Sequence, residues 1–212
     1  GKRPAVPEPW TAMKSDNQRV SCWAKEFDYR RSTALPRQVT VLDEPVLAAP
    51  MQFESNTRAG RPHVYVTEQA DDHVTLLGTR TFGSARVTVK SRVEYDGFAR
   101  HDVTVTPLSE KATIDGLALR IPYRNDRALY YHYWGDNAYG DPAWERANFL
   151  RDDHELGFQA FVWIGDDERG FCWFAEAPEG WSDPDAEDVV RITRRKQRTD
   201  LRLNILKGEQ TL

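Results

Sequence analysis

The sequence predicts an all-β, antiparallel fold: a large β-sandwich, supersandwich-like in size, with one short helix in a long loop. Short runs of β-branched and aromatic residues recur from residue 20 onward, and Gly, Pro and Asp separate them. No long stretch repeats its apolar residues with the period of a helix. At 212 residues, the chain lies in the size range of one sandwich domain. We therefore expect an irregular lead-in over residues 1–19 and one β-sandwich domain over residues 20–212.

Composition excludes several other classes of protein. Aromatic residues make up 11% of the chain, which is too many for a disordered segment. No run approaches the roughly 18 apolar residues of a membrane-spanning helix, so we expect no membrane partner. The net charge of −4 argues against a general nucleic-acid surface, so we expect no nucleic-acid partner.

In the first half of the chain, strands are predicted from short β-branched or aromatic runs at residues 20–29, 38–42, 64–67 and 74–77. The clearest hairpin follows at residues 85–107. A two-residue turn there would place apolar side chains opposite polar ones, whereas a three-residue loop over residues 95–97 brings the apolar faces together.

This three-residue loop determines the register of the hairpin. It pairs Val87 with Val105, Val89 with Val103, Lys90 with Asp102, and Arg92 with Arg100. It also requires Gly97 to adopt the left-handed backbone conformation of a type I turn with a bulge.

In the second half, strands are predicted at residues 114–122, 128–134, 188–193 and 199–206. A strong hairpin pairs residues 158–164 with 171–176 across the polar loop 165–170. The long connection 135–157 contains the predicted helix, because Asp141 and Pro142 suit a helix start and residues 143–150 can continue it. A loop this long usually has a function or covers a sheet edge.

Two features have more than one interpretation. Cys22 and Cys172 fit two buried thiols, which we favour, or a disulfide. The basic residues of the last hairpin fit the solvated face of an edge hairpin, with phosphate or sulfated-glycan binding as the alternative. These residues are Arg191, Arg194, Arg195, Lys196, Arg198 and Arg202.

No catalytic, nucleotide-binding or metal-binding motif is found, so we expect no cofactor and no metal ligand set. Asp166, Asp167 and Glu168 are of the type that glycoside hydrolysis uses, but they fall on a hairpin loop where solvent would keep their pKa values ordinary. His154 lies among acidic residues that cannot all turn toward one ion. We therefore assign no catalytic residue.

Aromatic residues give the best candidates for a site. On an alternating strand, Tyr131 and Tyr133 share one face, and Tyr130, His132 and Trp134 share the other. One set then packs the core, while the other lies on a surface or under the long loop. The candidates for a domain interface or a sugar contact are Tyr131, Tyr133, Trp134, Trp144, Trp163, Trp173, Glu176 and Trp181.

Several segments together resemble a known family. They are residues 94–98 (EYDGF), 114–117 (IDGL) and 161–176 (FVWIGDDERGFCWFAE), followed by Gly180 and Trp181. They are similar to the N-terminal β-sandwich region of glycoside hydrolase family 123 and its relatives. The resemblance covers residues 85–206.

The resemblance implies that a catalytic TIM barrel with an adjacent Asp-Glu pair accompanies this region. The chain begins with Gly1 and ends on a strand-like run, so we expect a fragment from which the barrel is missing. The expected function is that of a non-catalytic accessory domain that packs on this barrel and helps to shape its sugar cleft. An independent carbohydrate-binding module with a glycan partner is the alternative, and a self-sufficient glycosidase is a more distant one. The family also implies a periplasmic or extracellular setting.

Overall fold

The structure is a computed structural model that describes residues 6–133 and 148–212. These residues form 18 β-strands and one 3-10 turn at Asn125–Arg127, and every strand pairing is antiparallel. The all-β, antiparallel prediction is confirmed. The helix predicted from residue 141 falls mostly outside the described residues, and near its expected end Asn148–Phe149 is a short strand.

The first sheet is a meander in which each strand pairs with its neighbour in sequence. Its strands are Lys14–Asp16 (β1), Arg19–Cys22 (β2), Lys25–Asp28 (β3), Gln38–Val41 (β4) and Glu44–Pro45 (β5). Asn17 and Gln18, and likewise Leu42 and Asp43, have positive φ angles, as type I′ hairpin turns require. β1 lies inside the segment 1–19 that the sequence predicts to be irregular. The sequence does not predict this strand because its three polar residues show no apolar pattern.

The second sheet has the order β10-β9-β8-β7. Its strands are His63–Gln69 (β7), His73–Phe82 (β8), Ala85–Glu94 (β9) and Ala99–Pro107 (β10). All four residue pairs predicted for the β9–β10 hairpin are present, and Gly97 has a φ of 89°. Arg92 and Arg100 face each other, and each pairs with a carboxylate on its own strand that balances its positive charge. Arg92 pairs with Glu94 at 3.0 Å, and Arg100 pairs with Asp102 at 2.8 Å. The predicted register is confirmed.

The third sheet has the order β14-β17-β18-β11-β6. Its strands are Gln52–Glu54 (β6), Thr113–Arg124 (β11), His154–Leu156 (β14), Val190–Arg194 (β17) and Arg198–Thr211 (β18). The interpretation of the β17–β18 pair as an edge hairpin is wrong, because β18 lies between β17 and β11. Its central position follows from its apolar face, where Leu201 pairs with Ile121 and both side chains are buried.

The fourth sheet has the order β13-β12-β15-β16. Its strands are Tyr130–Tyr133 (β12), Asn148–Phe149 (β13), Phe161–Gly165 (β15) and Gly170–Phe174 (β16). The predicted hairpin is confirmed as β15–β16, which closes with Gly165 opposite Gly170.

The four sheets form a propeller-like ring rather than a clear two-layer sandwich, so the sandwich architecture is not confirmed. Each sheet turns an apolar face toward one shared core, to which Val20, Val87, Ile121 and Ile164 contribute from the first to the fourth sheet. Alternation along a strand determines which face is apolar. It does not determine how the sheets are grouped, because that depends on contacts between distant segments.

The two cysteines do not form a disulfide. Cys22 in β2 is buried, Cys172 in β16 is exposed, and both thiols are free. The preferred interpretation of two unlinked thiols is confirmed, but only one of them is buried. In the part of the chain that the structure describes, no helix is long and apolar enough to cross a membrane.

Candidate functional site

The fourth sheet carries most of the aromatic candidates and has two different faces. Trp163 pairs with Cys172, and Val162 pairs with Trp173. Because successive side chains of a strand point to opposite sides, the two tryptophans lie on opposite faces of the sheet.

The inner face of the sheet packs on the core. Four of the candidates lie against it, namely Tyr131, Tyr133, Trp173 and Trp181. Tyr131 stacks on Tyr133 with ring centroids 5.8 Å apart, and Trp181 contacts the edge of Trp173 at 6.1 Å. The predicted separation of Tyr131 and Tyr133 from the other face of β12 agrees with this pairing. These four rings hold the sheet on the core.

The outer face of the sheet exposes aromatic rings to solvent. Phe149 is 62% exposed and Phe174 is 52% exposed. Tyr130 packs beside Phe149 at 5.1 Å between ring centroids, and Phe98 of the second sheet packs on Phe174 at 5.6 Å. We call the surface formed by Phe98, Tyr130, Phe149, Trp163 and Phe174 the aromatic face.

Trp163 is held in place by two glycines. A Cβ atom at Gly170 would lie 2.1 Å from the indole Nε1 of Trp163, and one at Gly165 would lie 2.5 Å from Cζ2. Only glycine at these positions lets the indole approach the backbone so closely. The two glycines at the ends of the hairpin loop therefore also position the largest ring of the aromatic face.

Sequence reasoning missed three members of the aromatic face: Phe98, Phe149 and Phe174. A signal for Phe174 was present, because closing the hairpin at its two glycines places Phe174 on the same side as Trp163. Of the remaining candidates, Glu176 is exposed just beyond β16. Trp134 and Trp144 lie outside the described residues.

The three carboxylates of the hairpin loop are each engaged by a neighbour. Asp166 Oδ1 accepts the backbone N–H groups of Glu168 at 2.9 Å and Arg169 at 2.6 Å, and Oδ2 accepts Arg127 at 3.0 Å. Burial raises the pKa of Asp166, but these donors outweigh it, so the pKa lies below its ordinary value. Glu168 pairs with Arg169 at 3.0 Å, and a hydrogen bond with Asp167 raises the pKa of Tyr130. This geometry stabilises a turn, and the one carboxyl group of the loop with a shifted pKa, Asp166, has it lowered.

His154 packs against the inner face of the fourth sheet. Its ring lies 4.4 Å from the ring of Tyr131, between centroids, and burial lowers the pKa of His154. Over residues 6–133 and 148–212, no group of three or more His, Cys, Asp or Glu side chains is arranged to hold a metal ion.

The basic residues of the β17–β18 hairpin contact several different partners. Arg191, Arg198 and Arg202 each contact a carboxylate. Arg194 instead donates to the backbone carbonyl of Ala128 at 2.7 Å.

Comparison with known families gives a clear result. The family model described as Glycoside hydrolase 123, third domain, matches residues 13–177. The chain belongs to this glycoside hydrolase 123 family. The match includes β12, β15 and β16, so the aromatic face lies within the glycoside hydrolase 123 domain. The N-terminal position that the resemblance implied is not confirmed, because the description names a third domain. No curated protein matches the chain.

Proposed function

We propose that this glycoside hydrolase 123 domain is a non-catalytic accessory domain that packs on the catalytic domain of a multidomain glycoside hydrolase and helps to shape its sugar cleft. The observation that carries the proposal is the aromatic face. It holds two ring pairs, Tyr130 with Phe149 and Phe98 with Phe174, and exposed apolar patches usually mark interaction sites. Contacts between domains of one chain bury about 600–1,500 Å², an area that several large rings can supply.

The contact residues that we propose are Phe149, Phe174 and Trp163, with Glu176 at the rim. Of the inner rings, Trp173 and Trp181 then act indirectly, because they hold the sheet that presents this surface. Asp166 supports a non-catalytic role, since a carboxylate with a lowered pKa is a poor general acid.

A carbohydrate-binding module is the second candidate, and Trp163 is the observation that favours it. Its indole is held against the glycine pair, so binding a ligand there would cost little side-chain entropy. Exposed rings at Phe149 and Phe174 would extend the surface on which sugar rings could stack.

The first experiment compares hydrogen exchange of the isolated chain with that of the same residues in the complete parent protein. The backbone N–H groups of edge strand β16 that point away from β15 have no strand partner. We expect them to exchange at least tenfold more slowly in the parent protein, because another domain covers them. The edge strand β7 of the second sheet is the internal control and should not change. Equal exchange at β16 in both samples would contradict docking through the aromatic face.

The second experiment separates the candidates by variants. A Phe149→Ser, Phe174→Ser double variant should abolish the slower exchange of β16 in the parent protein, whereas Tyr65→Ser, which removes a 51% exposed ring from β7, should not. Calorimetric binding of a neutral oligosaccharide that the double variant loses would favour the binding module instead. Turnover of aryl glycosides by the isolated chain would overturn the non-catalytic role.

A further inference from the structure

A groove on the outer face of the third sheet is distinct from the aromatic face. It has a volume of about 760 Å³, which is within the usual range for sites that bind small ligands. Its floor is formed by β11 and β18, where the small side chain of Ala118 lies between Glu54 and Asn204 on the neighbouring strands. The proposed accessory role does not require this groove.

Both walls of the groove are fixed by hydrogen bonds. On one side, Ser55 Oγ donates to the carbonyl of Asp115 at 2.9 Å, and the N–H of Asp115 donates to Thr57 Oγ1 at 2.8 Å. On the other side, Asn204 Nδ2 donates to the carbonyl of Asp188 at 2.6 Å. The groove therefore exists before any ligand binds, which lowers the entropic cost of binding.

An irregular region of the sheet borders the groove. The pairing of β11 with β18 shifts on either side of Leu117, and Gly116 and Gly208 adopt positive φ angles there. Such bulges redirect side chains and are frequent beside functional sites. Lys207, which precedes Gly208, is among the residues that line the groove.

The groove is positively charged although the chain has a net charge of −4. Its lining includes three acidic side chains, Glu54, Asp115 and Asp188. It includes five basic ones, Arg58, Arg80, Arg191, Arg202 and Lys207. Arg191, Arg202 and Lys207 pair with carboxylates.

Two basic side chains without a carboxylate partner, Arg58 and Arg80, lie at one end of the groove, and among the described lining residues the carboxylate of Asp115 is likewise outside any ion pair. Arg80 donates to the carbonyl of Gly60 at 2.9 Å and packs over the ring of Phe82, and neither contact neutralises it. Arg58 is exposed and has no carboxylate partner among the described residues. This end of the groove is therefore suited to an anion.

On the floor of the groove, Glu54 pairs with Arg120 and Arg202. Asn204 accepts a hydrogen bond from Arg202 and donates one to the carbonyl of Asp188. The remaining lone pairs of Glu54 and the second N–H of Asn204 are the groups that can meet sugar hydroxyls.

We propose that this groove binds an acidic oligosaccharide, with a sugar carboxylate or sulfate at Arg58 and Arg80 and sugar hydroxyls on Glu54 and Asn204. Charge complementarity selects the anion, and the mixed donors and acceptors of the floor select a hydroxyl-rich ligand over a simple anion. The sequence offered anion binding by the basic residues of the β17–β18 hairpin as an alternative. The groove keeps the idea of a bound anion, but its proposed contacts, Arg58 and Arg80, lie outside that hairpin.

Calorimetry on the chain tests this proposal with four probes at about 0.15 M salt, where screening limits charge effects to about 8 Å. The probes are a chondroitin sulfate tetrasaccharide, a galacturonic acid tetramer, neutral chitotetraose and a single-stranded oligodeoxynucleotide of matched charge. We expect at least one acidic sugar to bind ten or more times more tightly than chitotetraose and the oligonucleotide. Both acidic probes carry carboxylates, so binding of both, or of the galacturonate alone, would assign a sugar carboxylate. Binding of the sulfated probe alone would assign the sulfate.

A pair of charge-reversal variants locates the binding. Arg58→Glu should weaken binding at least tenfold, whereas Arg61→Glu, the same change on an exposed arginine outside the lining, should leave it within twofold. In NMR spectra, the side-chain amide signals of Asn204 should shift when the acidic sugar is added. The proposal is overturned if neither acidic sugar binds, if chitotetraose or the oligonucleotide binds equally well, or if both variants weaken binding alike.

Discussion

The loop between β3 and β4 packs closely on Gly78 of β8, and Gly78→Ala should be strongly destabilising. A Cβ atom at this position would lie 2.3 Å from both the backbone nitrogen of Ala34 and the carbonyl carbon of Thr33. Ordinary van der Waals contact requires more than 3 Å, so the two segments would have to separate by about 1 Å. Backbone atoms cannot rotate away as the end of a side chain can.

The size of the effect follows from what this separation would disturb. Residues 32–36 are all buried, and the carbonyl of Ala34 accepts a hydrogen bond from Ser91 Oγ at 2.5 Å. Overpacking of a core costs about 1–3 kcal/mol, and loss of the hydrogen bond adds about 1 kcal/mol. We therefore expect the free energy of unfolding to fall by about 3 kcal/mol.

Urea denaturation followed by tryptophan fluorescence and circular dichroism measures this change, and the melting temperature should fall by roughly 6–12 °C. Gly157→Ala is the matched control, because its Cβ would meet nothing closer than the carbonyl of Ala186 at 3.8 Å. We expect the control to change stability by less than about 0.5 kcal/mol. If Gly78→Ala is as mild as Gly157→Ala, the close approach of the β3–β4 loop to β8 is not real.

Three further substitutions test local features. Gly97→Ala should cost about 1 kcal/mol or more in urea denaturation, because Gly97 has a φ of 89° and its Cβ would meet the side chain of Lys25 at 2.4 Å; unchanged stability would contradict the three-residue loop. Asp166→Asn should cost about 2 kcal/mol near pH 7 by removing the charge that Arg127 contacts. The pKa of Asp166 is lower in the folded chain than in the unfolded one, so the contribution of Asp166 to the free energy of unfolding is complete above about pH 5 and is lost as the pH falls below about 4. The free energy of unfolding of the variant should therefore fall less steeply at acid pH. An unchanged acid dependence would argue against this ion pair. Desolvation of the half-buried His101 lowers its pKa to about 4, so stability should decline as the pH falls from about 6.5 to 4 and the unfolded chain takes up a proton. His101→Gln should flatten this decline, and a decline of equal size in the variant would contradict the lowered pKa of His101.

The sequence was sufficient for features that depend on local pattern. The β9–β10 register followed from matching the valines of two strands around a turn that contains Gly97, because a slip of one residue would turn every side chain to the wrong face. The two faces of β12 followed in the same way from alternation. Such features need only the residues of one hairpin.

Features set by long-range contact could not be predicted. Strands β5, β6, β13 and β14 have two or three residues each, so they have no readable pattern and exist because a longer strand pairs with them. The ring of sheets depends on contacts such as the backbone bridge between Leu47 and Tyr123 and the packing of Phe98 on Phe174. The aromatic face was only partly predicted for this reason, because alternation separates two sets of rings without showing which set the core covers.

The family match ends before the folded unit does. As a result, the docking surface lies inside the match, whereas part of the groove lies outside it. The match ends at residue 177, yet β18 pairs with β11 and buries Leu201 against the core. The strands beyond the match therefore complete the third sheet, and they supply Asn204 and Lys207 to the groove. The aromatic face lies wholly within the match, so it is part of the glycoside hydrolase 123 domain. The groove depends on residues outside the match, so its ligand has to be judged from its own charge and hydrogen-bonding groups. A variant at Arg58 should leave docking intact, and a variant at Phe174 should leave acidic-sugar binding intact.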